Sequence, residues 1–529
     1  MIGIGLCVLF ILDLTTIRAQ KPGISISNYI RLGKGDEEFF GMENKKEYLE
    51  QEFNLQLTWK NFIVGSRYEY EHPAEFGISH NKLRKYYLEY RKGPWRVRTG
   101  TFSSLFSRGL VLNSYEEKPI GHDSEISGIN IKYESERSLM NLIAGSYNYE
   151  RIPYFRDIIK YAPRGGLFQR KISENIHLGG SFVWANISQD VGYNRESFDT
   201  YLAEIWGDMQ IGGLQLYGNI ASKSQGGKNL FFNDKNSVYI GVNYSNETSG
   251  LAMEYKSYRF GLVSPEKREF ELRHNRFLSF QNPPIVLKEH SWIFLSRSSH
   301  IVDFNDEVGL QLDFYHSLAP QTILNFNGGI ASRHFNYLKT TSGEFIRRDD
   351  HFSWIPSLDN SFSPFWNIYA EVEHYLMNGS SITGGISYVF ETIYNDFFPE
   401  ISEQRRMFVL PLRINYLISS VYTLLLSSEY QRFSESIHPG KYFNNQILSL
   451  GFSKAPNWSF GINTEFLSKG ADLSGKTSWV SGSIQYRFRS RQIFEITYGN
   501  ERGGLICNNG LCRFVPAFKG WRFNITTQL

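Results

Sequence analysis

One short group of residues combines the side-chain types of a catalytic triad. His122, Asp123 and Ser124 follow one another directly in the chain. A triad works through the spatial order of its members, and adjacent residues on one loop rarely reach that order. A polar turn before a strand that starts at Ile126 is the simpler interpretation. The sequence therefore predicts no catalytic residue here.

A second group matches the pattern of a phosphate-binding P-loop: Gly470, then Gly475, Lys476 and Thr477. A P-loop needs a helix after it, because the N-terminus of that helix holds the phosphate. An alternating strand pattern follows instead, from about Trp479. A tight turn between strands is expected, and no cofactor is predicted. The histidines are scattered along the chain, and no metal site is predicted from them.

Two cysteines lie close together near the end of the chain. Cys507 and Cys512 enclose Asn508 to Leu511, which contains an Asn-Gly turn signal. In an exported chain an even number of cysteines permits a disulfide. A metal site is the alternative, but two thiols without a nearby histidine make a poor one. We expect a disulfide across the turn.

A set of charged residues could control passage through a pore. Arg96 and Arg98 alternate with apolar residues and so share the polar face of one strand. Arg108, Glu116 and Glu117 follow shortly afterwards. Opposed charges that line a pore set its selectivity. An ion-pair network that keeps a wet interior folded explains the same residues, and both interpretations stay open.

The composition indicates which elements must position these residues. Aromatic side chains make up 16% of the 529 residues, whereas the hydrophobic total is 41% and the mean hydropathy is -0.34. Many rings with modest overall hydrophobicity suit a sheet with one apolar and one polar face, as in transmembrane barrels with aromatic girdles. The net charge of +3 gives no electrostatic argument for nucleic acid as a partner.

Apolar and polar residues alternate with period two along most of the chain, which predicts strands. Residues 480–488 are a clear case, since Val480, Gly482, Ile484, Tyr486 and Phe488 point one way and the polar residues between them point the other. Further strands are predicted at 49–59, 129–134, 211–222, 236–244, 251–259, 306–316, 320–332, 366–376, 382–394, 405–417, 420–432, 443–453 and 457–467.

The number of strands favours one large antiparallel transmembrane β-barrel. We predict an all-β chain with roughly 22 to 26 strands, a number within the range of bacterial barrels. A soluble sandwich rarely needs so many strands, and a propeller would repeat a motif every 40 to 50 residues or so, a period that is not found. Longer connections are expected at 34–46, 103–125, 150–174, 260–287 and 335–362.

The start of the chain has the pattern of an export signal. An apolar run from Gly3 to Leu12 has the length of a signal-peptide core and is too short to span a bilayer. Cleavage after Ala19 would leave residues 20–529 as the barrel. A buried N-terminal helix is the alternative. The expected location is the outer membrane of a Gram-negative bacterium, with membrane lipid as a partner.

The end of the chain carries a resemblance to outer-membrane proteins. Trp521, Phe523, Ile525 and Leu529 share one strand face. This resembles the terminal signal by which the barrel-assembly machinery recognises its substrates, although that signal usually ends in Phe. The segments Phe106–Leu110 and Arg502–Pro516 resemble those of a family of large outer-membrane barrels without assigned function. That resemblance implies the fold and no chemistry.

The leading hypothesis for function is a channel or uptake pore for small solutes. A barrel this wide cannot fill its interior with strand side chains alone, so loops can fold inward. Residues 103–125 and 150–174 are candidates for such a constriction, although plain surface loops are the slightly favoured interpretation. The alternative function is a structural, assembly or surface-binding barrel with a plugged lumen and a protein partner. A membrane enzyme is not expected.

Overall fold

The structure is a computed structural model. It describes residues 22–529 except for the following ranges: 40–41, 77–78, 152–156, 192–193, 226–234, 262–277, 340, 342–344, 395–401, 471–474, 490 and 509–510. The predicted signal peptide, residues 1–19, lies outside the described residues, and its cleavage stays a prediction.

Twenty-four antiparallel strands form one closed sheet. In chain order they are β1 Gly23–Phe39, β2 Met42–Trp59, β3 Phe62–Glu71, β4 His80–Lys92, β5 Trp95–Phe102, β6 Ile126–Glu134, β7 Ser138–Arg151, β8 Asp157–Ser173, β9 Ile176–Val191, β10 Asn194–Ile211, β11 Leu214–Gln225, β12 Asn236–Ser245, β13 Ser249–Tyr258, β14 Glu307–Ala319, β15 Thr322–Ser332, β16 Phe365–Tyr375, β17 Ser381–Tyr394, β18 Ser402–Leu417, β19 Tyr422–Glu435, β20 Phe443–Lys454, β21 Trp458–Phe466, β22 Ser478–Phe488, β23 Gln492–Glu501 and β24 Ala517–Gln528.

Each strand pairs with its neighbours in chain order, and the last strand pairs with the first. The closing register runs from Ser27 opposite Gln528 to Glu38 opposite Ala517. The backbone of Leu529 adds two hydrogen bonds with Ile26, at 2.8 and 3.1 Å. Closure leaves no sheet edge with unpaired backbone groups, which is a condition for strands that cross a lipid bilayer. The predicted barrel and its strand number are confirmed.

The two rims of the barrel differ in the length of their connections. At the rim that holds Gly23 and Gln528, successive strands are joined by five residues or fewer. At the opposite rim lie the long connections 103–125, 259–306, 333–364 and 502–516. We call the first the short-turn rim and the second the long-connection rim. Chain segments that fold into the lumen therefore come from the long-connection rim.

The outer face of the barrel is apolar and exposed. In β23 and β24 the outward residues stand in register: Phe494 opposite Ile525, Ile496 opposite Phe523, and Tyr498 opposite Trp521. The rings of Tyr498 and Trp521 have centroids 4.2 Å apart, and both side chains are about half exposed. Similar exposed apolar residues recur on strands all around the barrel. An apolar surface of this extent matches the hydrocarbon layer of a membrane.

In the described part of the chain, little regular structure lies outside the barrel wall. Among the described residues, none belongs to a helix long and apolar enough to cross a membrane. The short elements are the helix α1, Ile293–Arg297, the 3-10 helices Lys118–Ile120 and Asn360–Phe362, the hairpins Phe335–Lys339 with Phe345–Phe352 and Gly504–Asn508 with Leu511–Val515, and the two-residue pairs Ser104–Leu105 with Asn113–Ser114 and Glu116–Glu117 with His122–Asp123.

Two of the predicted loops are wrong. Residues 34–46 extend the β1–β2 hairpin, with Gly33 opposite Tyr48 and Phe39 opposite Met42. Most of 150–174 is strand β8, paired on both sides. Both strand segments are rich in polar residues. Their composition therefore resembled that of a loop, which is why the prediction was wrong. The strand predicted at 49–59 begins seven residues earlier, at Met42, and the other predicted strands appear within three residues of their predicted bounds.

Candidate functional site

The lumen is occupied by residues of the chain's own long connections. We call residues 103–125 the first inner segment. Its Phe106, Leu110, Val111 and Leu112 have no exposed surface. They belong to one apolar cluster with inward-facing wall residues of β5 to β13: Phe102, Ile126, Ile143, Tyr147, Ile159, Tyr161, Leu167, Val183, Ala185, Ile187, Leu202, Trp206, Tyr217, Ala221, Tyr239 and Tyr258. The hydrophobic effect therefore holds this segment against one side of the lumen.

A second inner segment, residues 278–306, lies against the first. The backbone N–H of Asn113 donates to the carbonyl of Phe280 at 2.7 Å, and that of Asn282 donates to the carbonyl of Gly109 at 3.3 Å. Gly109 has φ +82°, and a Cβ there would lie 2.5 Å from the carbonyl oxygen of Asn282. Glycine is required at this contact both for its backbone conformation and for the close approach. The two segments thus form one body inside the barrel.

Ion pairs fasten the first inner segment to the wall at β3 and β4. The carboxylate of Glu116 lies 2.5 Å from Arg67 and 2.7 Å from Lys85. Lys85 also lies 3.1 Å from Asp123 and 2.6 Å from Glu125. All of these side chains are largely shielded from water. Charges that are removed from water need partners. This network therefore fixes the position of the first inner segment along the barrel wall.

The helix α1 of the second inner segment binds the opposite side of the wall. The carboxylate of Glu429 accepts hydrogen bonds at 2.8 Å from the backbone N–H groups of Ile293 and Phe294, which are free at a helix N-terminus. Arg297 donates to both oxygens of Glu465, at 2.9 and 2.7 Å. The second inner segment therefore crosses the lumen, from the apolar cluster to β19 and β21.

Where the second inner segment rejoins the wall, it carries a buried charge network. His300 contacts Glu391 at 2.7 Å and Glu307 at 3.2 Å. Burial alone would lower the pKa of His300, but these two carboxylates outweigh it and raise the pKa to about 9. Asp306 pairs with Arg333 at 3.2 Å and with His334 at 2.9 Å. Burial opposes the ionised carboxylate, yet Arg333 and His334 lower its pKa to about 2.

The cysteines lie on a hairpin that folds onto the inner segments. Their sulfurs are bonded, with the Cα atoms 4.1 Å apart. The hairpin, Gly504–Asn508 with Leu511–Val515, runs beside α1 and beside the 3-10 helix Lys118–Ile120. At its base Arg502 donates to Glu465 at 2.8 Å, the carboxylate that also holds Arg297. Glu465 therefore joins the disulfide hairpin to the second inner segment.

A cavity of about 680 Å³ remains in the lumen beside the inner segments. Its walls are the inward faces of β1 to β4 and of β20 to β24 and the end of β7 at Asn148 to Glu150, together with parts of both inner segments and the disulfide hairpin. Carboxylates outnumber lysine and arginine side chains in the described lining by ten to seven. The volume falls within the range of small-molecule sites, whereas the lining is far more charged than usual. Such a cavity is suited to polar solutes.

The five predicted constriction residues lie in separate places. Arg96 and Arg98 are on β5, each 3.5 Å from Glu89. Arg108 lies over the ring of Tyr217, with 4.9 Å from its guanidinium carbon to the ring centroid. Glu116 belongs to the network at β3 and β4 and lines the cavity. Glu117 pairs through its backbone with His122. Whether any of them sets selectivity stays a prediction.

The residues of the rejected motifs have structural contacts. His122 and Ser124 are hydrogen-bonded, with 3.1 Å from Nε2 to Oγ, but the carboxylate of Asp123 faces Arg84 and Lys85 instead of His122. Ser124 is fully buried, and burial lowers the pKa of His122 to about 4.

The P-loop-like segment also ends in structural contacts. Lys476 pairs with Glu38 and Glu43 on β1 and β2, and a strand begins at Ser478.

Several residues of the site escaped the sequence analysis, among them Glu75, Glu429, Glu465 and Arg513. Glu429 and Glu465 occupy the polar face of predicted strands, so their direction was predictable. Their partners lie 135 or 136 and 168 residues away, a separation that no local pattern reveals. The signal that was available is a charged residue at an inward-facing position of a predicted strand. Such a side chain is shielded from water inside the lumen and therefore needs a partner.

The fold and the occupied lumen define a class: transmembrane β-barrels of the outer-membrane type whose interior is filled in part by their own loops. The chain belongs to the protein family described as "Family of unknown function (DUF6029)", whose model matches residues 6–529. A comparison with curated proteins found no match.

Solved structures with a similar fold are large barrels. The siderophore receptor PirA from Pseudomonas aeruginosa has a TM-score of 0.44 at 7% identity, covering 95% of this chain and 80% of the other. The copper transporter OprC has 0.45 at 10%, covering 97% and 81%. The P pilus usher PapC translocation pore has 0.41 at 7%, covering 96% and 99%. At this distance the likeness carries no argument about function.

Proposed function

We propose that this protein is an outer-membrane uptake channel for small polar solutes, with a passage narrowed by its own inner segments. The charged cavity of about 680 Å³ between the wall and the two segments is the observation that carries the proposal. A lumen that served only to hold the barrel together would gain more from apolar packing, because charges taken from water contribute little net stability. A water-filled, charge-lined space is the feature that a solute pathway requires.

The inner segments make the channel selective in this account. They close the side of the lumen lined by β5 to β13 and leave the charged side open as a cavity. A solute must then pass along carboxylates and guanidinium groups instead of through bulk water. Charge and size should both affect its flux.

Flux into proteoliposomes tests the proposal. Purified protein is reconstituted, and entry of radiolabelled small solutes of matched size (a zwitterion, an anion, a cation and a neutral sugar) is followed over time. The proposal expects entry well above protein-free vesicles, with unequal rates that depend on charge. Vesicles that contain folded protein, verified by circular dichroism, and admit none of the four solutes would contradict it.

One observation favours a second candidate, a surface-binding or assembly barrel with a plugged lumen. The inner segments are tied to the wall by shielded ion pairs on both sides, through Glu116 and through Arg297. A rigid plug of this kind suits a scaffold that binds a protein partner at its long connections. Purification from native membranes under mild detergent tests it, and a protein that always isolates alone would contradict it.

The remaining expectations belong to the same proposal. We infer that the chain is exported through a cleaved signal peptide and inserted by the barrel-assembly machinery, so that the mature protein begins at Gln20. Mass spectrometry of the mature N-terminus tests the cleavage. We also infer that it is not an enzyme. Loss of a lipid-hydrolase activity in a Ser124→Ala variant that folds normally would overturn that inference.

A further inference from the structure

Arg513 is a charged side chain in the cavity to which the described residues offer no ion-pair partner. It lies on the disulfide hairpin and lines the cavity. Its guanidinium carbon stands 3.6 Å from the centroid of the Phe76 ring. Its Nη2 is buried and has no hydrogen-bond partner among the described residues. Burial lowers the pKa of Arg513, although Glu75 and Glu50 act in the opposite direction. The Nη2 donor is thus shielded from water and unoccupied among the described residues.

The nearest carboxylates of the cavity are already engaged by other groups. Glu75 is 3% exposed and pairs with Arg31 and, at 3.5 Å, with Arg522. Glu50 accepts the backbone N–H of Glu75 at 2.6 Å and lies 3.7 Å from Arg31. Arg513 therefore remains available to an acidic group that comes from outside the chain. A planar guanidinium stacked on a ring presents its donor edge to a carboxylate in a fixed direction.

The opposite charge is provided by a row of residues on neighbouring strands. The carboxylates Glu50 and Glu71 stand directly across from each other on β2 and β3, and His80 on β4 stands across from Glu71. Like charges at opposed positions of a sheet repel each other. Arg84 on β4 interacts electrostatically with Glu71, but no described lysine or arginine forms an ion pair with Glu71 or with Glu150, which lines the same cavity. His80 is only 9% exposed. A cation brought by a ligand would relieve this repulsion.

We propose that the cavity is a binding site for small zwitterionic solutes, in which Arg513 binds a carboxylate and Glu71 and Glu150 bind an ammonium group. The inference rests on the proposed function, since it names the class of solute that the channel selects. All three residues lie toward the long-connection rim. The site therefore stands at the entrance that solutes reach first if that rim faces outward. A solute with only one charge satisfies one side of the site and leaves the other unpaired.

The experiment measures equilibrium binding in detergent, where transport plays no part. Saturation-transfer NMR titrations use three probes: glycylglycine, N-acetylglycine, which has only the carboxylate, and glycinamide, which has only the ammonium group. The wild-type protein should bind glycylglycine about tenfold or more tighter than either single-charge probe. This comparison needs no variant and so does not depend on the folding of one. Equal binding of all three probes, or no binding of glycylglycine, overturns the proposal.

Variants then assign the two ends of the ligand. Arg513→Gln should weaken glycylglycine and N-acetylglycine about tenfold and leave glycinamide unchanged, while Glu71→Gln and Glu150→Gln should weaken glycylglycine and glycinamide. Arg137→Gln and Glu136→Gln, exposed on a turn at the short-turn rim, are the matched controls. An Arg513→Gln protein that folds and binds N-acetylglycine like wild type overturns the assignment. Binding without vesicle flux would refute the channel but keep the site, and flux without binding would do the reverse.

Discussion

The two sides of the lumen are built on the same alternation of residues and yet differ in content. Along β5 to β13 most inward positions carry aromatic and aliphatic side chains such as Tyr147, Tyr161 and Val183, and the inner segments pack on them, while the end of β7 with Glu150 reaches the cavity. Along β1 to β4 and β20 to β24 the inward positions carry groups such as Arg31, Glu71 and Glu465, and a cavity remains. The chemistry of the inward positions thus decides which side of the lumen is filled by the inner segments. Burial of apolar surface stabilises the fold, whereas burial of charge does not.

The largest expected loss of stability comes from breaking a charge pair whose side chains are buried as deeply as those of the apolar cluster. Asp306→Ala removes the carboxylate beside His334 and one of the two carboxylates that hold Arg333, the other being Asp303 at 3.0 Å. Arg333 and His334 are 1% and 0% exposed. Loss of one partner from a buried ion-pair network should lower the free energy of unfolding by about 3–5 kcal/mol. Chemical denaturation in lipid vesicles measures the loss. Glu136→Ala, at an exposed turn, is the control and should stay within about 0.5 kcal/mol of wild type.

The second prediction concerns pH and His300, which sits between Glu307 and Glu391. Its pKa in the folded protein, about 9, is raised above the ordinary 6.5. The stabilising contribution is therefore fully present below about pH 6.5 and is lost as the pH rises through 9, and it is on the order of 3 kcal/mol. Unfolding curves between pH 6 and 10 measure this slope. In His300→Gln the slope assigned to this group should disappear, and an unchanged slope would show that another group titrates.

The third prediction concerns the contact between the two inner segments. Gly109→Ala places a Cβ 2.5 Å from the carbonyl of Asn282 at a backbone φ of +82°. The segments should separate locally at a cost of about 1–3 kcal/mol. Hydrogen exchange at the amides of Asn113 and Asn282 should speed up accordingly. Gly212→Ala is the matched control, with φ +56° and open space around the added atom. If both variants exchange alike at the inner segments, the contact does not hold them together.

The smallest effect is expected at the link between the two sides. Glu465→Gln keeps the shape of the side chain but removes the charge that holds Arg297 and Arg502. Weakening these hydrogen bonds by about 1.4 kcal/mol should make detachment of the inner segment from Glu465 roughly tenfold more frequent. Brief fluctuations of the current in bilayer recordings measure this detachment. Glu47→Gln, whose carboxylate is 64% exposed beside Lys34, is the control and should leave the current unchanged.

The comparison also shows what the sequence reveals and what it does not. The alternation of residues is local, so the strands at 382–394 and 443–453 were predicted nearly to the residue. The occupied lumen depends on contacts between distant parts of the chain, such as Asn113 with Phe280 and Arg297 with Glu465. The first inner segment was predicted as one of two candidate constrictions, and 278–306 overlapped only the end of a predicted loop.

The measurement that tests the account most directly is the single-channel conductance of the folded protein in a planar bilayer. We predict small, salt-dependent steps in wild type and clearly larger steps in Gly109→Ala, because the inner segments narrow a passage that the charged side keeps open. A large conductance in wild type that the variant does not change would show that the inner segments do not limit the passage. Silence from both folded proteins would contradict the channel itself.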